Sequence, residues 1–523
     1  MTPATAPAGR SVAWTIVILL LLAIRMPSLV EPAGADQNLY AYVGDRVTHG
    51  DVPYRDAWDQ KPPAIHFIYA ALRRLWPSDA VVAGADLAAA AAVAWLLVML
   101  GRRTFGTGVG FGAATLFLLL GNPAIQRLGG VRVRSQCETF IALAMTAALV
   151  LLSGNGRRRY LWAGVCLGAA FWLKYNAIVY ALPLLLDLRG RFTFFVKRPR
   201  RSFLVSFLVI ATVFISYFAV HGALTDLWLA TITYNLQYSQ ETYQGVRGAL
   251  RYLTFPLERA HLDLLWYLGG LGVLALLFQR HAASRLVVAW MAAACVSIAI
   301  NGARNLPQYF VQAHPALALA AAAGLAPLAR RDTSPAMRAI LLLLVAAGLW
   351  RVGDEPRLFR VGGLPEVAQN VAFDLDYARG RIDRSEYLAR FQQQQDAKYV
   401  PLAAERLAAH VRETTRPDDR ILVFGFSADV YVHSGRVSAS RFFWSRPVTV
   451  EFNAARAGYG SAGLLADLQR SKPVVVALQK HWGGSPPEPI DFFMSQPMLR
   501  AWLQSGYVLE DDNPAFAVWR RRS

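Results

Sequence analysis

The chain has 523 residues, of which 55% are hydrophobic and 17% are charged, and its formal net charge is +19. A soluble protein carries about a quarter of its residues as charged side chains, so this composition excludes a disordered, a fibrous or a single soluble-domain protein. Because apolar blocks of membrane-spanning length recur up to about residue 350, the sequence predicts a polytopic α-helical membrane domain over 1–351 and a soluble domain over 352–523.

The basic residues do not indicate a nucleic-acid-binding surface, because they lie in short loops between apolar blocks. Arg157–Arg159 and the run Lys197–Arg201 are examples, and such loops are typical of the cytoplasmic side of a membrane protein. The three cysteines, Cys137, Cys166 and Cys295, lie in or beside apolar blocks and form no CxxC motif. We therefore expect neither a nucleic-acid partner nor a disulfide framework.

Apolar blocks predict about eleven transmembrane helices. The first lacks a small-residue cleavage site after it and indicates a retained anchor rather than a signal peptide. The predicted spans lie near residues 14–30, 80–100, 108–126, 136–153, 161–173, 175–188, 202–221, 262–279, 284–301, 308–326 and 335–350.

The distribution of Lys and Arg predicts the orientation of these spans. With the N-terminus inside, the inside loops hold 16 Lys and Arg in 58 residues and the outside loops hold 12 in 108 residues. This asymmetry favours eleven spans, with the C-terminal domain on the outer face. The absence of an N-x-[ST] sequon and the Ala/Arg-rich composition favour a bacterial source, so we expect the inner (cytoplasmic) membrane, with this domain on the periplasmic side. A ten-span alternative, in which 160–188 is one helix, would reverse the side of that domain.

Residues 352–523 have an α/β pattern, which predicts a small layered sheet. The predicted helices are Leu402–Thr414, Leu464–Arg470 and Phe492–Gln504, and the predicted strands are Arg420–Phe424, Pro473–Leu478, Tyr507–Leu509 and Phe516–Arg520.

The first outside loop, 31–79, carries polar residues suited to chemistry. Asp36 begins a helical stretch, and Tyr40 lies one turn further on the same face. A carboxylate at this depth can accept a proton from an acceptor hydroxyl. The alternative is that Asp36 is only the N-cap of the helix.

A second group in the same loop combines acids with a lysine. Asp56, Asp59 and Lys61 precede the stiff turn Pro62-Pro63. A fixed ammonium at headgroup depth suits a phosphate. The alternative is a lysine whose ammonium reaches the membrane interface from an apolar surface.

Further ionisable residues are predicted at the same outer rim. Lys174 separates two short spans, and Arg304 and Asn305 lie in a very short outside loop. Glu138 begins the fourth span, either as a second carboxylate of the site or as an acid stabilised by the helix dipole. We expect these cations and acids to converge in one pocket.

Several common enzyme motifs are absent from the sequence. The nine histidines do not form an HExxH pattern, and neither GxxxxGK[ST] nor GxSxG occurs. These absences argue against a zinc protease, a P-loop ATPase and an α/β-hydrolase.

The order of the motifs resembles the GT-C membrane glycosyltransferases. The nearest branch is that of the bacterial relatives of protein O-mannosyltransferases and of the lipid A aminoarabinose transferase (glycosyltransferase families 39 and 83). The resemblance covers roughly 12–350. The motifs that carry it are Asp36 with Tyr40, Tyr54–Pro63 (YxDxWDxKPP), Arg134–Phe140, Trp162–Lys174, Tyr309-Phe310 and His314-Pro315, with Phe424–Phe426, Val430-Tyr431 and Ser440–Phe442 in the C-terminal part.

This resemblance implies transfer of a hexosyl or pentosyl group, with inversion at the sugar carbon, on the outer face of the membrane. The donor would be a polyprenyl-phosphate-linked sugar, and the acceptor a hydroxyl or phosphate of a glycan, a lipid or a protein. Loop 222–260 would order over the lipid donor. The implied catalytic residues are Asp36 and Glu138, and the implied substrate-binding residues are Tyr40, Asp59, Lys61, Lys174, Arg304, Asn305 and Tyr309.

The chain departs from the family pattern at two places. Many relatives have Asp-Glu where this chain has Asp36-Gln37, which argues against a two-acid metal site there, and His-Tyr where it has Gln308-Tyr309, which argues against a base there. We therefore assign no metal ligand, and the resemblance leaves the need for a divalent metal open. Two other functions are also retained as alternatives: a transporter or flippase for lipid-linked sugars, and a non-catalytic membrane sensor.

Overall fold

The computed structural model describes residues 7–121, 127–128, 131–185, 198–240, 245–301, 306–354, 364–392, 400–481 and 487–522. The helices of the first part are α1 (Pro7–Leu20), α2 (Ala35–Thr48), α3 (Ala64–Leu75), α4 (Ala80–Thr104), α5 (Thr107–Leu120), α6 (Cys137–Ser153), α7 (Arg159–Leu173), α8 (Ala181–Leu185), α9 (Arg198–Val220), α10 (Leu224–Trp228), α11 (Tyr234–Gln240), α12 (Gly245–Leu262), α13 (Leu264–Leu277), α14 (Ala282–Ile300), α15 (Pro307–Phe310), α16 (His314–Ala329) and α17 (Pro335–Asp354). π-Helical turns span Leu21–Arg25 and Leu229–Thr233, 3-10 turns span Met26–Val30, Tyr175–Tyr180 and Val311–Ala313, and a hairpin joins β1 (Arg127–Leu128) to β2 (Val131–Arg132).

The protein is a polytopic membrane protein, and each of the eleven predicted spans coincides with an apolar helix. Among the described residues, five helices have the length and composition to cross a membrane, and the bent pair α12–α13 would be a sixth. Four other predicted spans coincide with the shorter apolar helices Thr107–Leu120, Cys137–Ser153, Tyr175–Leu185 and Pro335–Trp350, and 161–173 lies in α7. The ends 122–126 and 186–188 of two predicted spans lie outside the described residues. The predicted number of crossings and the predicted orientation therefore stay predictions.

The break predicted at Lys174 is present. α7 ends at Leu173, Lys174 is extended, and the 3-10 turn beginning at Tyr175 leads into α8. The chain therefore places a lysine between two short helices instead of inside one long helix.

The C-terminal part is the predicted α/β domain. Its helices are α18 (Leu364–Ala378), α19 (Arg384–Gln392), α20 (Pro401–Thr414), α21 (Asp429–Ser434), α22 (Arg446–Thr449), α23 (Gly460–Ser471), α24 (Pro489–Ser495) and α25 (Pro497–Gly506). Its strands are β3 (Arg420–Phe424), β4 (Val437–Ser438), β5 (Val475–Gln479), β6 (Tyr507–Asp512) and β7 (Phe516–Arg521). They form one sheet in the order β4-β3-β5-β7-β6, in which β3 is parallel to β4 and β5, and β7 is antiparallel to β5 and β6.

One predicted helix of this domain is wrong. The single helix predicted over Phe492–Gln504 is two helices, because Gln496 is extended and Pro497 begins α25. Proline lacks a backbone N–H and disfavours helical backbone in the residue before it. The short strand β4, which adds an edge to the sheet, has too few residues to show a pattern in the sequence.

The C-terminal domain packs on the first long loop. The Ser438 N–H donates to Tyr42 Oη at 2.9 Å, and His433 Nε2 lies 3.2 Å from Asp79 Oδ2. Loop 31–79 and this domain therefore lie on the same side of the helical bundle, as the eleven-span prediction requires. The predicted domain boundary at 351 falls within α17 and stays a prediction.

Candidate active site

Asp36 lies in the first turn of α2 and is half-buried. The N-cap is Gly34, whose N–H donates to Gln37 Oε1, while Gln37 Nε2 donates to Arg134 O at 2.6 Å. The alternative that Asp36 is the N-cap is therefore wrong. Its carboxylate lies at the end of the helix where the backbone dipole favours negative charge.

The segment that carries Lys61 is a compact turn. Tyr54 has a φ of 71°, which is rare for a residue with a side chain, and its N–H donates to Ala57 O at 2.7 Å. The Tyr54 hydroxyl donates to Lys61 O at 2.7 Å, and Asn235 Nδ2 donates to Gln60 O at 2.8 Å. Because the backbone of 60–61 is held in this way, the position from which the Lys61 side chain extends is fixed.

Lys61 is a charged group facing a cavity. Burial lowers its pKa, but the phenol of Tyr309 and the carboxylates of Asp36 and Asp59 offset this, so that the pKa of Lys61 is raised above its usual value. Among the residues that the structure describes, none forms a hydrogen bond or an ion pair with its ammonium group. A lysine held in the charged form without a direct partner is suited to binding an anion.

Lys174 and Glu138 form a buried pair beside it. Lys174 Nζ donates to Glu138 Oε1, and Lys174 and Glu138 are 7% and 1% exposed. Lys174 Nζ also lies 4.2 Å from the centroid of the Tyr309 ring, a favourable cation–π position. Glu138, in the first turn of α6, thus fixes Lys174, and Lys174 in turn contacts Tyr309.

Lys61, Lys174 and Tyr309 line one cavity of about 240 Å³. Leu236 and Ile300 add apolar side chains to its wall, and both are exposed on the surface of the bundle (63% and 47%). The lining residues are Gln60, Lys61, Pro62, Lys174, Tyr175, Asn176, Thr231, Ile232, Asn235, Leu236, Tyr238, Ser239, Ile300, Asn301 and Tyr309. The predicted site residues Arg304 and Asn305 lie outside the described residues.

Asp59 and Tyr40, two further predicted substrate-binding residues, lie behind the cavity wall instead of in it. Asp59 is 1% exposed, and its carboxylate accepts from Gln60 N–H at 2.7 Å and lies 3.3 Å from His66 Nε2. Burial raises the pKa of Asp59 to about 7 and lowers the pKa of His66 to about 3. The Tyr40 hydroxyl, which is also buried, donates to Gln136 Oε1 at 3.3 Å.

A buried arginine beneath α2 had no assigned role from the sequence. Arg134 is fully buried, and its guanidinium donates to Ser28 O at 2.5 Å and to Pro32 O at 2.8 Å. Arg134 therefore holds the backbone of the segment that leads into α2. The sequence feature that could have indicated its importance is an arginine next to a long apolar block, because charged residues are rare there unless they have a structural or functional role.

Two asparagines of the cavity form hydrogen bonds that their spacing in the sequence did not indicate. Asn176 Nδ2 donates to Ser297 O at 2.6 Å, and Asn235 is bound to the turn before Lys61. Both are uncharged residues in apolar or aromatic surroundings, so nothing in their spacing distinguishes them from other amides.

The described residues do not fit a divalent cation site. A second acid would be needed at position 37, but the Gln37 side-chain amide there accepts from Gly34 N–H and donates to Arg134 O. The other nearby acid, Glu138, is paired with Lys174. In the part of the chain that the structure describes, no group of three His, Cys, Asp or Glu side chains is placed to hold a metal ion.

The sequence matches no protein-family model, and no curated protein sequence matches it. Solved structures do match its fold. ArnT from Cupriavidus metallidurans aligns over 98% of both chains, at 14% identity and a TM-score of 0.59 in the apo state. The same protein bound to undecaprenyl phosphate aligns over 98% of both chains at 15% identity and a TM-score of 0.58. The oligosaccharyltransferase AglB from Archaeoglobus fulgidus aligns over 99% of this chain and 75% of its own, at 11% identity and a TM-score of 0.48.

The likeness to ArnT confirms the predicted fold, a GT-C type helical bundle followed by a C-terminal domain with a sheet. At these identities the likeness concerns the fold alone. What the site does must be argued from its own residues.

Proposed function

We propose that the protein is a membrane glycosyltransferase that moves a sugar from a polyprenyl-phosphate-linked donor to an acceptor hydroxyl or phosphate on the outer face of the membrane. The observation that carries this proposal is the charged Lys61, without a direct partner among the described residues, in a cavity bordered by exposed apolar side chains. Such a cavity suits an amphiphile that has a phosphate at the boundary between its polar head and its lipid tail.

The fold supports the same substrate class. ArnT, whose fold this chain shares over 98% of its length, has been solved with undecaprenyl phosphate. In our proposal the phosphate of the donor binds near Lys61, and its polyprenyl tail leaves the cavity past Leu236 and Ile300 towards the lipid.

The chemistry divides between an acid and the cations. The acceptor oxygen attacks the anomeric carbon, the bond from that carbon to the phosphate oxygen breaks, and polyprenyl phosphate leaves with the electron pair. When the acceptor is a hydroxyl, Asp36 accepts its proton. Lys61 stabilises the charge that develops on the phosphate, which is most effective where water is largely excluded.

Lys174, Glu138 and Tyr309 shape the site. Glu138 and Lys174 neutralise each other in a buried pair, and Lys174 contacts Tyr309 on the cavity wall. We assign Glu138 a positioning role through Lys174, because a buried carboxylate bound to an ammonium is poorly placed to take a proton from a substrate.

The test uses full-length protein in vesicles and a panel of undecaprenyl-phosphate-linked hexoses and pentoses. Release of undecaprenyl phosphate should depend on an added envelope acceptor. Asp36→Asn should lower the rate by about 10²- to 10⁴-fold, because the proton acceptor is lost. Lys61→Ala should lower it by about 10²- to 10³-fold, because the leaving phosphate loses its cation.

The matched control is Lys480→Ala, which removes a lysine of the C-terminal domain paired with Asp512 at 2.8 Å, away from the cavity. It should retain the wild-type rate. Full transfer by Asp36→Asn would contradict the proposed base. Movement of the donor across the membrane without any transfer would replace this proposal with a transporter.

A further inference from the structure

We infer that the C-terminal domain is a working part of the donor site: Trp444 positions Lys61 by holding the backbone of the turn that carries it. This inference rests on the proposed function, and it assigns a task to a residue more than 380 positions away in the sequence from the group it controls. Trp444 is a positioning residue, since it acts through Trp58 and the turn, not on the substrate.

The first observation is that Trp58 is bound at both backbone atoms by the C-terminal domain. The Trp58 N–H donates to Arg441 O at 2.9 Å, and Trp444 Nε1 donates to Trp58 O at 3.0 Å. A loop residue normally binds water or its own turn through these atoms. Here both atoms bind the C-terminal domain instead.

The second observation is the ring cage around the Trp58 side chain, which is completely buried. Three of its four aromatic neighbours belong to the C-terminal domain. The distances between ring centroids are 4.9 Å to Tyr234, 5.9 Å to Phe452, 6.1 Å to Trp444 and 6.3 Å to Phe442. Burial of an indole in such a cage fixes the segment around it.

The third observation is that the constraint continues to Lys61. Beyond Trp58, Gln60 O accepts from Asn235 and Lys61 O accepts from Tyr54, whose φ of 71° is an unfavourable backbone conformation for a residue with a side chain. A strained turn persists only where its surroundings determine it. Without the contacts from the C-terminal domain, this turn would relax and the Lys61 ammonium would spread over many positions.

It follows that docking of the C-terminal domain and binding of the lipid phosphate are thermodynamically linked. The domain pre-organises the cation, so the donor does not have to order it on binding. The linkage predicts a specific signature: loss of the Trp444 contact should weaken phosphate binding only as long as Lys61 is present.

The experiment measures the affinity of full-length protein in nanodiscs for undecaprenyl phosphate, in a cycle of four proteins: wild type, Trp444→Phe, Lys61→Ala and the double variant. Phenylalanine keeps an aromatic ring in the cage and removes the N–H donor. Trp444→Phe should weaken binding by about 3- to 10-fold, as expected for one buried hydrogen bond. In the Lys61→Ala background the same change should have no further effect.

A kinetic measurement distinguishes positioning from general damage. Trp444→Phe should raise the KM for the donor and leave the KM for the acceptor unchanged. Trp502→Phe is the matched control, because Trp502 packs on Tyr507 within the same domain and not on the first loop. It should bind undecaprenyl phosphate as the wild type does.

The outcomes separate the two proposals. Wild-type affinity of Lys61→Ala would overturn the proposed function and this inference with it. If Lys61→Ala weakens binding but Trp444→Phe does not, or if the two effects multiply in the double variant, the inference alone is overturned. Should Trp444→Phe fail to fold, Phe452→Leu, which opens the cage without touching the hydrogen bonds, is measured in the same cycle with the same expectation.

Discussion

At the scale of single residues, the pair Asp59 and His66 is buried directly beneath the turn that carries Lys61. Burial disfavours the charged form of both groups, which raises the pKa of Asp59 to about 7 and lowers that of His66 to about 3. Near neutral pH the imidazole is therefore uncharged, and the carboxyl is partly protonated. Lys61 opposes part of the effect on Asp59.

Asp59 should make the protein less stable as the pH rises. Its pKa in the folded protein is higher than its usual value of 3.8, so the folded state binds more protons than the unfolded state between pH 4 and 7. The free energy of unfolding therefore decreases as the pH rises through this range. The lowered pKa of His66 acts in the opposite direction below pH 6.5, so the effect of Asp59 is a difference between proteins: the melting temperature should fall by more between pH 5 and pH 8 in the wild type than in Asp59→Asn. The measurement is thermal unfolding of the full-length protein followed by tryptophan fluorescence.

Asp56→Asn is the control for this prediction. Asp56 lies in the same turn but is half-buried and bound to Arg55 at 2.7 Å, which helps to lower its pKa against the opposing effect of burial. Its replacement should leave the decline between pH 5 and pH 8 unchanged. An equally steep decline in Asp59→Asn would show that Asp59 does not titrate in this range.

Two lysines of the site could be predicted from the sequence. Lys174 interrupts apolar surroundings and Lys61 precedes the stiff turn Pro62-Pro63, and the structure brings both to one cavity. The burial of Asp59 could not be predicted, since it depends on the packing of α3 and the C-terminal domain against the turn. The partner of Glu138 is likewise 36 positions away in the sequence, and local spacing contains no record of such a contact.

At the scale of elements, α13 and α16 pack so closely that glycine is required at their contact. A Cβ added to Gly272 would lie 2.1 Å from Ala320 O, and one added to Gly269 would lie 2.5 Å from the side chain of Leu317. Small residues at such contacts let helix backbones approach in a membrane, where packing rather than hydrophobicity drives association. Gly270, on the same helix, meets nothing within 4 Å.

Gly272→Ala and Gly270→Ala should therefore have opposite effects on stability. The first forces α13 away from α16 and should lower the free energy of unfolding by about 1–3 kcal/mol, the usual cost of overpacking. The second adds a methyl group in open space and should be neutral or stabilising by up to about 1 kcal/mol, through the higher helix propensity of alanine. Thermal unfolding of the two proteins in the same detergent gives the comparison.

Equal melting temperatures for the two glycine variants would contradict the close contact of α13 and α16. A loss of stability in Gly270→Ala alone would place the helix contact on the opposite face of α13.

The elements themselves were largely predictable, because length and hydropathy determine where an apolar helix lies. Every predicted span contains a helix, and the break at Lys174 was found because a lysine interrupts two short apolar runs. The helices α10 to α12 were not predicted, although α11 and the π-helical turn before it form much of the cavity wall. Their sequence mixes aromatic and polar residues without a clear period, so their structure depends on the elements they contact.

At the scale of the whole molecule, the C-terminal domain is attached to the helical part through an ion pair as well as through Trp58. His433, at the end of α21, lies 3.2 Å from Asp79, which precedes α4. Neither residue stood out in the sequence, because an interface between distant segments leaves no local pattern. The fold of each part was predictable, and their contact was not.

Three charged groups besides the two partners act on this ion pair: Asp429, Glu405 and Arg73. Burial lowers the pKa of His433. The combined effect of Asp79, Asp429 and Glu405 is larger and opposite, so that the pKa lies above its usual value of 6.5. For Asp79, burial is outweighed by His433 and Arg73, and the pKa falls to about 2. For Asp429, burial is the larger effect and raises the pKa to about 7.

The docking of the C-terminal domain should weaken as the pH rises above neutrality. The stabilisation from His433 is complete below pH 6.5, where the histidine is charged in both states, and is lost as the pH rises through its raised pKa in the folded protein. Ionisation of the buried Asp429 acts in the same direction. We expect hydrogen exchange of the α21 amides, corrected for its intrinsic pH dependence, to be faster at pH 8.5 than at pH 6. His433→Gln should show less of this difference, because glutamine does not titrate.

His410→Gln tests whether the effect belongs to the contact between the domains. His410 also faces an acid, Glu510 at 3.4 Å, but both residues lie within the C-terminal domain and His410 is half-buried. Its replacement should leave the exchange of α21 as in the wild type. If Trp444 positions Lys61 as inferred, the affinity for undecaprenyl phosphate should decline over the same pH range as α21 loosens. An affinity that stays constant while α21 exchange accelerates would show that the Asp79–His433 contact opens independently of the Trp58 cage, and that two separate attachments hold the domain.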